Sequence, residues 1–86
     1  MRFRYSDRFE RAYANLRQED AERVDKTLRL LISDLRHPGL RVKNMDGTDR
    51  IWEARVSRSI RLTFEMHGEL LMLRNVGPHD ATLKNP

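Results

Sequence analysis

The sequence lacks cysteine, and it contains no internal repeat or low-complexity tract. Without cysteine, neither a disulfide framework nor a thiolate zinc site can stabilise the chain. Its opening residues lack the apolar run of about 7 to 15 residues that a signal peptide requires, and no later run approaches a membrane span. We therefore expect a cytoplasmic protein with no metal site and no small-molecule cofactor, held together by ordinary packing.

The length and the charge limit the class of protein. The 86 residues suffice for one domain, residues 1–86, and the three prolines occur singly rather than in a linker. Lysine and arginine number 17 against 13 aspartates and glutamates, for a formal net charge of +4. Such a balance favours a polyanionic or acidic partner, although many small domains are basic merely for solubility.

The first half of the chain predicts a strand and two helices. Residues 1–5 alternate between apolar and charged side chains, which is typical of a half-buried strand. Ser6 can cap a helix over residues 7–18, and a second helix is expected to start near Asp20 and to end at the His-Pro-Gly of residues 37–39. So short a connection predicts an antiparallel helix hairpin.

In the second half of the chain, apolar and polar residues alternate with a period of two, as in β-strands. Asp46-Gly47 and His67-Gly68 are typical hairpin connections. The predicted strands cover residues 40–45, 51–57, 60–67 and 69–76. The sequence therefore predicts an α+β fold with an N-terminal strand, a two-helix antiparallel hairpin and a three- to four-stranded antiparallel β-meander, with the helices on one face of the sheet.

The alternation also predicts a charged sheet face. Arg55, Arg61 and Glu53 are expected to point away from the helices. Depending on its register, the preceding strand adds one of two pairs: Arg41 and Lys43, or Leu40 and Val42. The first pair makes this face strongly basic, and arginine suits phosphate oxygens. The alternative interpretation is that these are the ordinary polar residues of a solvated sheet.

His79 is the candidate for acid–base chemistry. It follows the last strand, next to Asp80, whereas the other two histidines lie at turns with no ligand spacing for a metal. Arg74 interrupts an apolar run just before the last turn, which indicates a carboxylate or phosphate partner. A histidine beside Arg55, Arg61 and Arg74 is suited to metal-free RNA cleavage, in which protons move and negative charge develops on phosphate. A hydrogen-bonded turn histidine is the competing interpretation.

Several segments in a fixed order carry a resemblance to a known family. They are His-Pro-Gly-Leu at 37–40, Lys-Asn-Met at 43–45, Trp-Glu-Ala-Arg-Val at 52–56, Ile-Arg-Leu-Thr-Phe at 60–64 and Leu-Arg-Asn-Val-Gly-Pro-His-Asp at 73–80. With these segments, nearly the whole chain resembles the RelE/ParE superfamily of toxins from type II toxin–antitoxin systems. Within it, the chain is most similar to the RelE-like and YafQ-like messenger-RNA interferases.

The resemblance implies a toxin that cleaves messenger RNA on the ribosome by attack of the ribose 2′-hydroxyl, and that is bound by a cognate antitoxin. It implies that Arg61 and Arg74 bind phosphate and that His79 is the general acid or base. Arg41, Lys43 and Arg55 are expected to bind RNA.

The chain also departs from these relatives. It lacks the C-terminal tyrosine of RelE proper, and it carries Arg55 and Arg61 on the central strands, where YafQ-like members have a further histidine. Glu53 is therefore a second candidate for the general base. ParE-like members, which inhibit DNA gyrase without cutting RNA, are the alternative function.

Overall fold

A computed structural model describes residues 1–48 and 50–86 as three helices and a five-stranded sheet. The elements are β1 (Arg2–Tyr5), α1 (Asp7–Ala14), α2 (Gln18–Ser33), a 3-10 turn (Pro38–Leu40), β2 (Lys43–Asn44), β3 (Trp52–Arg55), β4 (Ile60–His67), β5 (Leu70–Pro78) and α3 (His79–Lys84). The strand order is β1-β5-β4-β3-β2. β2 to β5 form the antiparallel meander, and β1 pairs parallel with β5. The predicted α+β fold is confirmed, with a mixed sheet.

Local chemistry explains where the helices begin and end. The Ser6 side chain accepts a hydrogen bond from the Phe9 amide at 3.0 Å, so the predicted cap of α1 is confirmed. α2 begins at Gln18, close to the predicted start near Asp20, but Asp20 does not cap it, because the helix has no side-chain cap. Asp20 instead lies in the first turn, where a carboxylate interacts favourably with the helix dipole. α2 ends at Ser33, earlier than the predicted end at the His-Pro-Gly segment, because that segment forms a separate 3-10 turn with His37 as its cap.

The core lies between the helices and one face of the sheet. The buried apolar residues from the helices are Phe9, Val24, Leu28 and Leu31, and those from β4 and β5 include Leu62, Phe64, Leu71 and Leu73. Along β4 the buried apolar residues alternate with Arg61, Thr63 and Glu65 on the opposite face. We call this opposite side the outer face. No helix in the described residues is long and apolar enough to cross a membrane.

The outer face is less open than the sequence suggested. The chain does not stop at a terminal turn after β5 but forms the short helix α3, which packs on β4 and β5. Beyond α3, the Pro86 oxygen accepts a hydrogen bond from Thr63 Oγ1 at 2.9 Å, and the Asn85 oxygen accepts one from Asn75 Nδ2 at 2.9 Å. Residues 85–86 therefore cross the middle of the outer face.

Two strands differ from their predicted shape. β2 contains only Lys43–Asn44 rather than residues 40–45, because Leu40 is buried in the 3-10 turn and Arg41 has a left-handed backbone with φ of 47°. The pairing of β4 with β5 shifts between Thr63 and Phe64, whose partners are Asn75 and Leu73. Arg74 is consequently the extra residue of a β-bulge.

Candidate functional site

Six of the seven site residues that the sequence predicts line one cavity on the outer face. The cavity, which we call the basic pocket, has a volume of about 210 Å³ and is lined by Arg41, Lys43, Glu53, Arg55, Arg61 and His79. Four of these side chains carry a positive charge, and one is a carboxylate. Arg74 is the predicted site residue that does not line the pocket.

Strand register explains why these residues meet. In the antiparallel pairs, Lys43 lies directly opposite Glu53, and Arg55 lies directly opposite Arg61. Directly opposed residues share a face of the sheet, so Lys43 belongs to the outer face, and Arg41 also lines the pocket. Of the two pairs that the sequence allowed for this segment, Arg41 and Lys43 are therefore the pair on the side of the basic pocket. Like charges directly opposite one another destabilise a sheet, so an anion bound between Arg55 and Arg61 would be favourable.

Arg61 is held in place by carbonyl groups rather than by a carboxylate. Its Nη1 donates to the carbonyl oxygens of Ser57 at 2.6 Å and Ile60 at 3.1 Å, in and beside the β3–β4 turn. Burial lowers the pKa of Arg61, and the charge of Arg55 acts in the same direction. A positive charge that is fixed but not neutralised is suited to binding phosphate.

His79 is presented at the rim of the pocket by the start of α3. Its backbone N–H donates to the Ser59 carbonyl at 2.7 Å, which ties the start of α3 to the β3–β4 turn. Nδ1 lies 2.8 Å from a carboxylate oxygen of Asp80, and no described residue hydrogen-bonds Nε2. The side chain is 47% exposed. A histidine with one nitrogen oriented by a carboxylate and the other accessible can transfer a proton at the accessible nitrogen.

Glu53 supplies the carboxylate of the basic pocket. The residue is 8% exposed, yet its carboxylate takes part in no ion pair or side-chain hydrogen bond with the described residues. Its oxygens are not sealed from solvent, because no fully buried side-chain oxygen or nitrogen in the described residues lacks a partner. Such a carboxylate at the wall of a polar pocket is suited to accept a proton.

Arg74 belongs to a second group of charges on the outer face. Its Nη1 forms a hydrogen-bonded ion pair with Glu65, and its Nε donates to the Pro86 oxygen at 3.1 Å. Glu65 also contacts Arg50 Nη2 at 3.4 Å and His67 Nε2 at 2.9 Å. We call these four residues the paired cluster. The hydrogen bond from His67 lowers the pKa of Glu65, and the hydrogen bonds and charges of Arg74 and Arg50 act in the same direction, while burial opposes them.

The structure adds one residue that the sequence interpretation left out of the site. Asp80 orients His79, and the signal for it is only their adjacency at the start of a helix that was not predicted. Within residues 1–48 and 50–86, no three or more histidine, aspartate or glutamate residues come together as metal ligands.

Comparison with solved structures places the fold among known toxins. A chain of the E. coli DinJ-YafQ toxin-antitoxin complex matches with a TM-score of 0.78 and 18% identity over 92% of each chain. A chain of the intact E. coli RelBE toxin-antitoxin complex matches with a TM-score of 0.72 and 15% identity, over 91% of this chain and 95% of that one. The YoeB/ParE toxin from Agrobacterium tumefaciens matches with a TM-score of 0.76 and 13% identity, over 92% and 99%.

Each match covers nearly the whole of this chain and of the chain with which it is compared. The chain therefore has the fold of the RelE/ParE superfamily toxins, which confirms the fold that the sequence resemblance implies. No family model matches the sequence, and a search of curated proteins finds no match.

Proposed function

We propose that this protein is the toxin of a type II toxin–antitoxin system and that it cleaves messenger RNA on the ribosome. The observation that carries the proposal is the basic pocket, in which four cations share one cavity with a carboxylate that forms no ion pair with a described residue, and a histidine lies at the rim. This is the combination that RNA transesterification needs: a proton acceptor, a proton donor and fixed positive charge. The shared fold of the solved toxins supports the proposal.

In the proposed reaction, Glu53 removes the proton from a ribose 2′-hydroxyl, whose oxygen attacks the adjacent phosphorus. The P–O5′ bond breaks, and protonated His79 donates the Nε2 proton to the departing 5′-oxygen. The products are a 2′,3′-cyclic phosphate and a 5′-hydroxyl. Arg55 and Arg61 stabilise the charge that develops on the pentavalent phosphorus oxygens.

The order of the strands fits this division of work. Glu53 lies on β3, Arg61 on β4, and His79 follows β5, so the arginine strand separates the proposed base from the proposed acid. An in-line displacement needs the base and the acid on opposite sides of the phosphorus, with the stabilising charge between them. Arg74, which is paired with Glu65, is left out of this set.

We also propose a cognate antitoxin as the partner that restrains this site. The solved DinJ-YafQ and RelBE structures are toxin-antitoxin complexes. An acidic antitoxin segment over Arg55 and Arg61 would relieve the repulsion between these opposed charges. Charge reversal by Arg61→Glu should then weaken the complex, whereas Arg74→Glu, outside the pocket, should weaken it less.

The decisive test of the cellular target is a brief induction of the protein without its antitoxin, with pulse labelling of protein and DNA synthesis. Protein synthesis is expected to stop first, and messenger-RNA ends should accumulate within translated regions. A folded His79→Ala variant serves as the control and should do neither. If DNA synthesis stops first and no RNA ends appear, the gyrase-directed alternative replaces this proposal.

A further inference from the structure

A second cavity adjoins the basic pocket, on the other side of β2 and β3. It has a volume of about 470 Å³ and lies between the segment that follows α2 and the sheet. We call it the tryptophan groove, after Trp52, which forms part of its wall together with Arg36, His37 and Arg41. Its remaining lining is apolar, and no carboxylate belongs to the described lining.

The polar groups of this groove are mostly hydrogen-bond donors. Arg36 and Arg41 take part in no ion pair or side-chain hydrogen bond with the described residues, and neither does the indole Nε1–H of Trp52. The His37 Nδ1 accepts a hydrogen bond from the Gly39 amide at 3.1 Å, so the ring proton lies on Nε2. The groove thus offers an aromatic surface and hydrogen-bond donors to a ligand rich in acceptors and negative charge.

Arg41 connects this groove to the basic pocket, because it lines both cavities. It is the only non-glycine residue with a positive φ in residues 1–48 and 50–86. A left-handed backbone is unfavourable for arginine, and such conformations are concentrated at functional sites. A polyanion bound in the basic pocket would therefore follow the charge of Arg41 around the edge of the sheet and into the tryptophan groove.

We propose that the tryptophan groove binds an unpaired nucleobase of single-stranded RNA, stacked on Trp52, next to the nucleotide whose phosphate occupies the basic pocket. The inference rests on the proposed function and extends it by a subsite for a neighbouring base. Stacking on aromatic side chains combined with a positively charged track for the backbone is how proteins bind single-stranded nucleic acid. A volume of about 470 Å³ also lies within the range of small-molecule sites, roughly 300 to 1,000 Å³.

The protein carries its own probe for this proposal, because Trp52 is its sole tryptophan. A short 2′-O-methyl oligoadenylate, which has no free 2′-hydroxyl for attack, is titrated at low salt while indole fluorescence is recorded. Anisotropy of the same oligonucleotide, labelled at its end, measures binding independently. We expect saturable quenching with the same dissociation constant in both measurements, and no quenching by an abasic oligomer of equal length and charge.

Two sets of variants separate stacking from charge. Trp52→Leu should weaken binding roughly 5- to 150-fold, which corresponds to the usual contribution of one base stacked on an aromatic ring, whereas Trp52→Phe should retain most of the affinity. Arg41→Gly removes the charge at a position whose φ suits glycine, so it should weaken binding while the fold is kept. Thermal melting of each variant before titration identifies any loss of folding.

Several outcomes would overturn the proposal: binding without quenching, equal quenching by the abasic oligomer, unchanged affinity of a folded Trp52→Leu variant, or no binding at all. Quenching by polyglutamate as strong as that by RNA would assign the groove to an acidic peptide instead. Cleavage assays keep this result separate from the proposed function. If His79→Ala abolishes cleavage but Trp52 does not stack on RNA, only the groove assignment fails; if RNA stacks and is never cut, only the proposed function fails.

Discussion

The basic pocket and the paired cluster use the same residue types in opposite ways. Each has a glutamate that is less than a tenth exposed, with arginines and a histidine nearby, and both lie on the outer face of one sheet. In the paired cluster, Glu65 is bound by two arginines and a histidine. In the basic pocket, Glu53 has no ion pair with a described residue, and Arg61 is fixed by carbonyl groups.

The difference lies in how far the charges are satisfied within the chain. Glu65 and its partners satisfy one another, so their contribution belongs to folding. The basic pocket retains an excess of positive charge and an accessible histidine nitrogen, which an RNA phosphate and ribose would complement. On the proposed function, the basic pocket therefore carries out the chemistry and the paired cluster stabilises the fold, and paired substitutions can test each role.

The largest expected difference concerns the two glutamates. Glu53→Gln should lower single-turnover cleavage by roughly 10² to 10⁴, the usual contribution of a positioned base, and remove one limb of the pH–rate profile. Glu65→Gln should leave the rate and the profile of the folded protein nearly unchanged. Quenched-flow cleavage of messenger RNA on programmed ribosomes measures both. Equal losses in the two variants would contradict the division between the clusters.

The second difference concerns stability and its dependence on pH. Because the folded pKa of Glu65 lies below its usual value of 4.5, its contribution is present above that pH and is lost as the pH falls through the folded pKa. At pH 7, Glu65→Gln should lower the free energy of unfolding by about 1 to 3 kcal/mol, since Arg74 loses a charged partner. Urea unfolding should show that the difference in free energy of unfolding between the unmodified protein and Glu65→Gln becomes smaller as the pH falls. If this difference stays constant with pH, the charge of the Glu65 carboxylate is not its cause.

How far the sequence predicted this division can be judged from individual residues. Strand alternation and turn positions were enough to bring Arg55, Arg61 and Glu53 to one face, because these depend only on a period of two. Arg74 was grouped with them because it interrupts an apolar run and because the resemblance implies a phosphate-binding arginine there, and neither signal distinguishes a phosphate partner from a carboxylate partner. The structure shows that its partner is the Glu65 carboxylate, and that Arg74 is also the extra residue of the β-bulge in the pairing of β4 with β5.

The helix α3 was missed for a similar reason. It has six residues, too few for helix propensity to predict it, and it depends on tertiary packing. Its Thr82 is only 2% exposed and packs against the end of β5. A Cβ on Gly77 would lie 3.0 Å from Thr82 Oγ1. The sequence was enough to single out His79 as a candidate, but the helix that orients it could be recognised only in the folded structure.

A third difference concerns the arginines and RNA binding. Arg61→Ala should reduce the slope of log affinity against log salt for single-stranded RNA by roughly 0.7, the value for one lost phosphate contact. Arg74→Ala should leave the slope unchanged, since Glu65 already neutralises its charge. Anisotropy titrations over a range of salt concentrations compare the two. A shallower slope for Arg74→Ala would extend the RNA site into the paired cluster.

The smallest expected effect tests the placement of His79. In Gly77→Ala, the new Cβ would lie 3.0 Å from Thr82 Oγ1, and the φ of 157° also disfavours any residue but glycine, so we expect a small shift at the start of α3. We expect a loss of cleavage of roughly tenfold or less, because a displacement of about 1 Å can reduce a rate 10²-fold. Adding Thr82→Ala should recover part of the rate by removing the contacting oxygen. Recovery would separate displacement of His79 from general loss of folding, and no loss in Gly77→Ala would show that this contact does not set its position.

Two histidines, His67 and His79, lie on the outer face, and each contacts a carboxylate. The decisive measurement is single-turnover cleavage on programmed ribosomes by folded His79→Ala and His67→Ala variants, at protein concentrations that saturate binding. His79→Ala should cleave roughly 10² to 10⁴ more slowly while still binding, and His67→Ala should cleave at the rate of the unmodified protein. Full cleavage by His79→Ala would contradict the assignment of chemistry to the basic pocket.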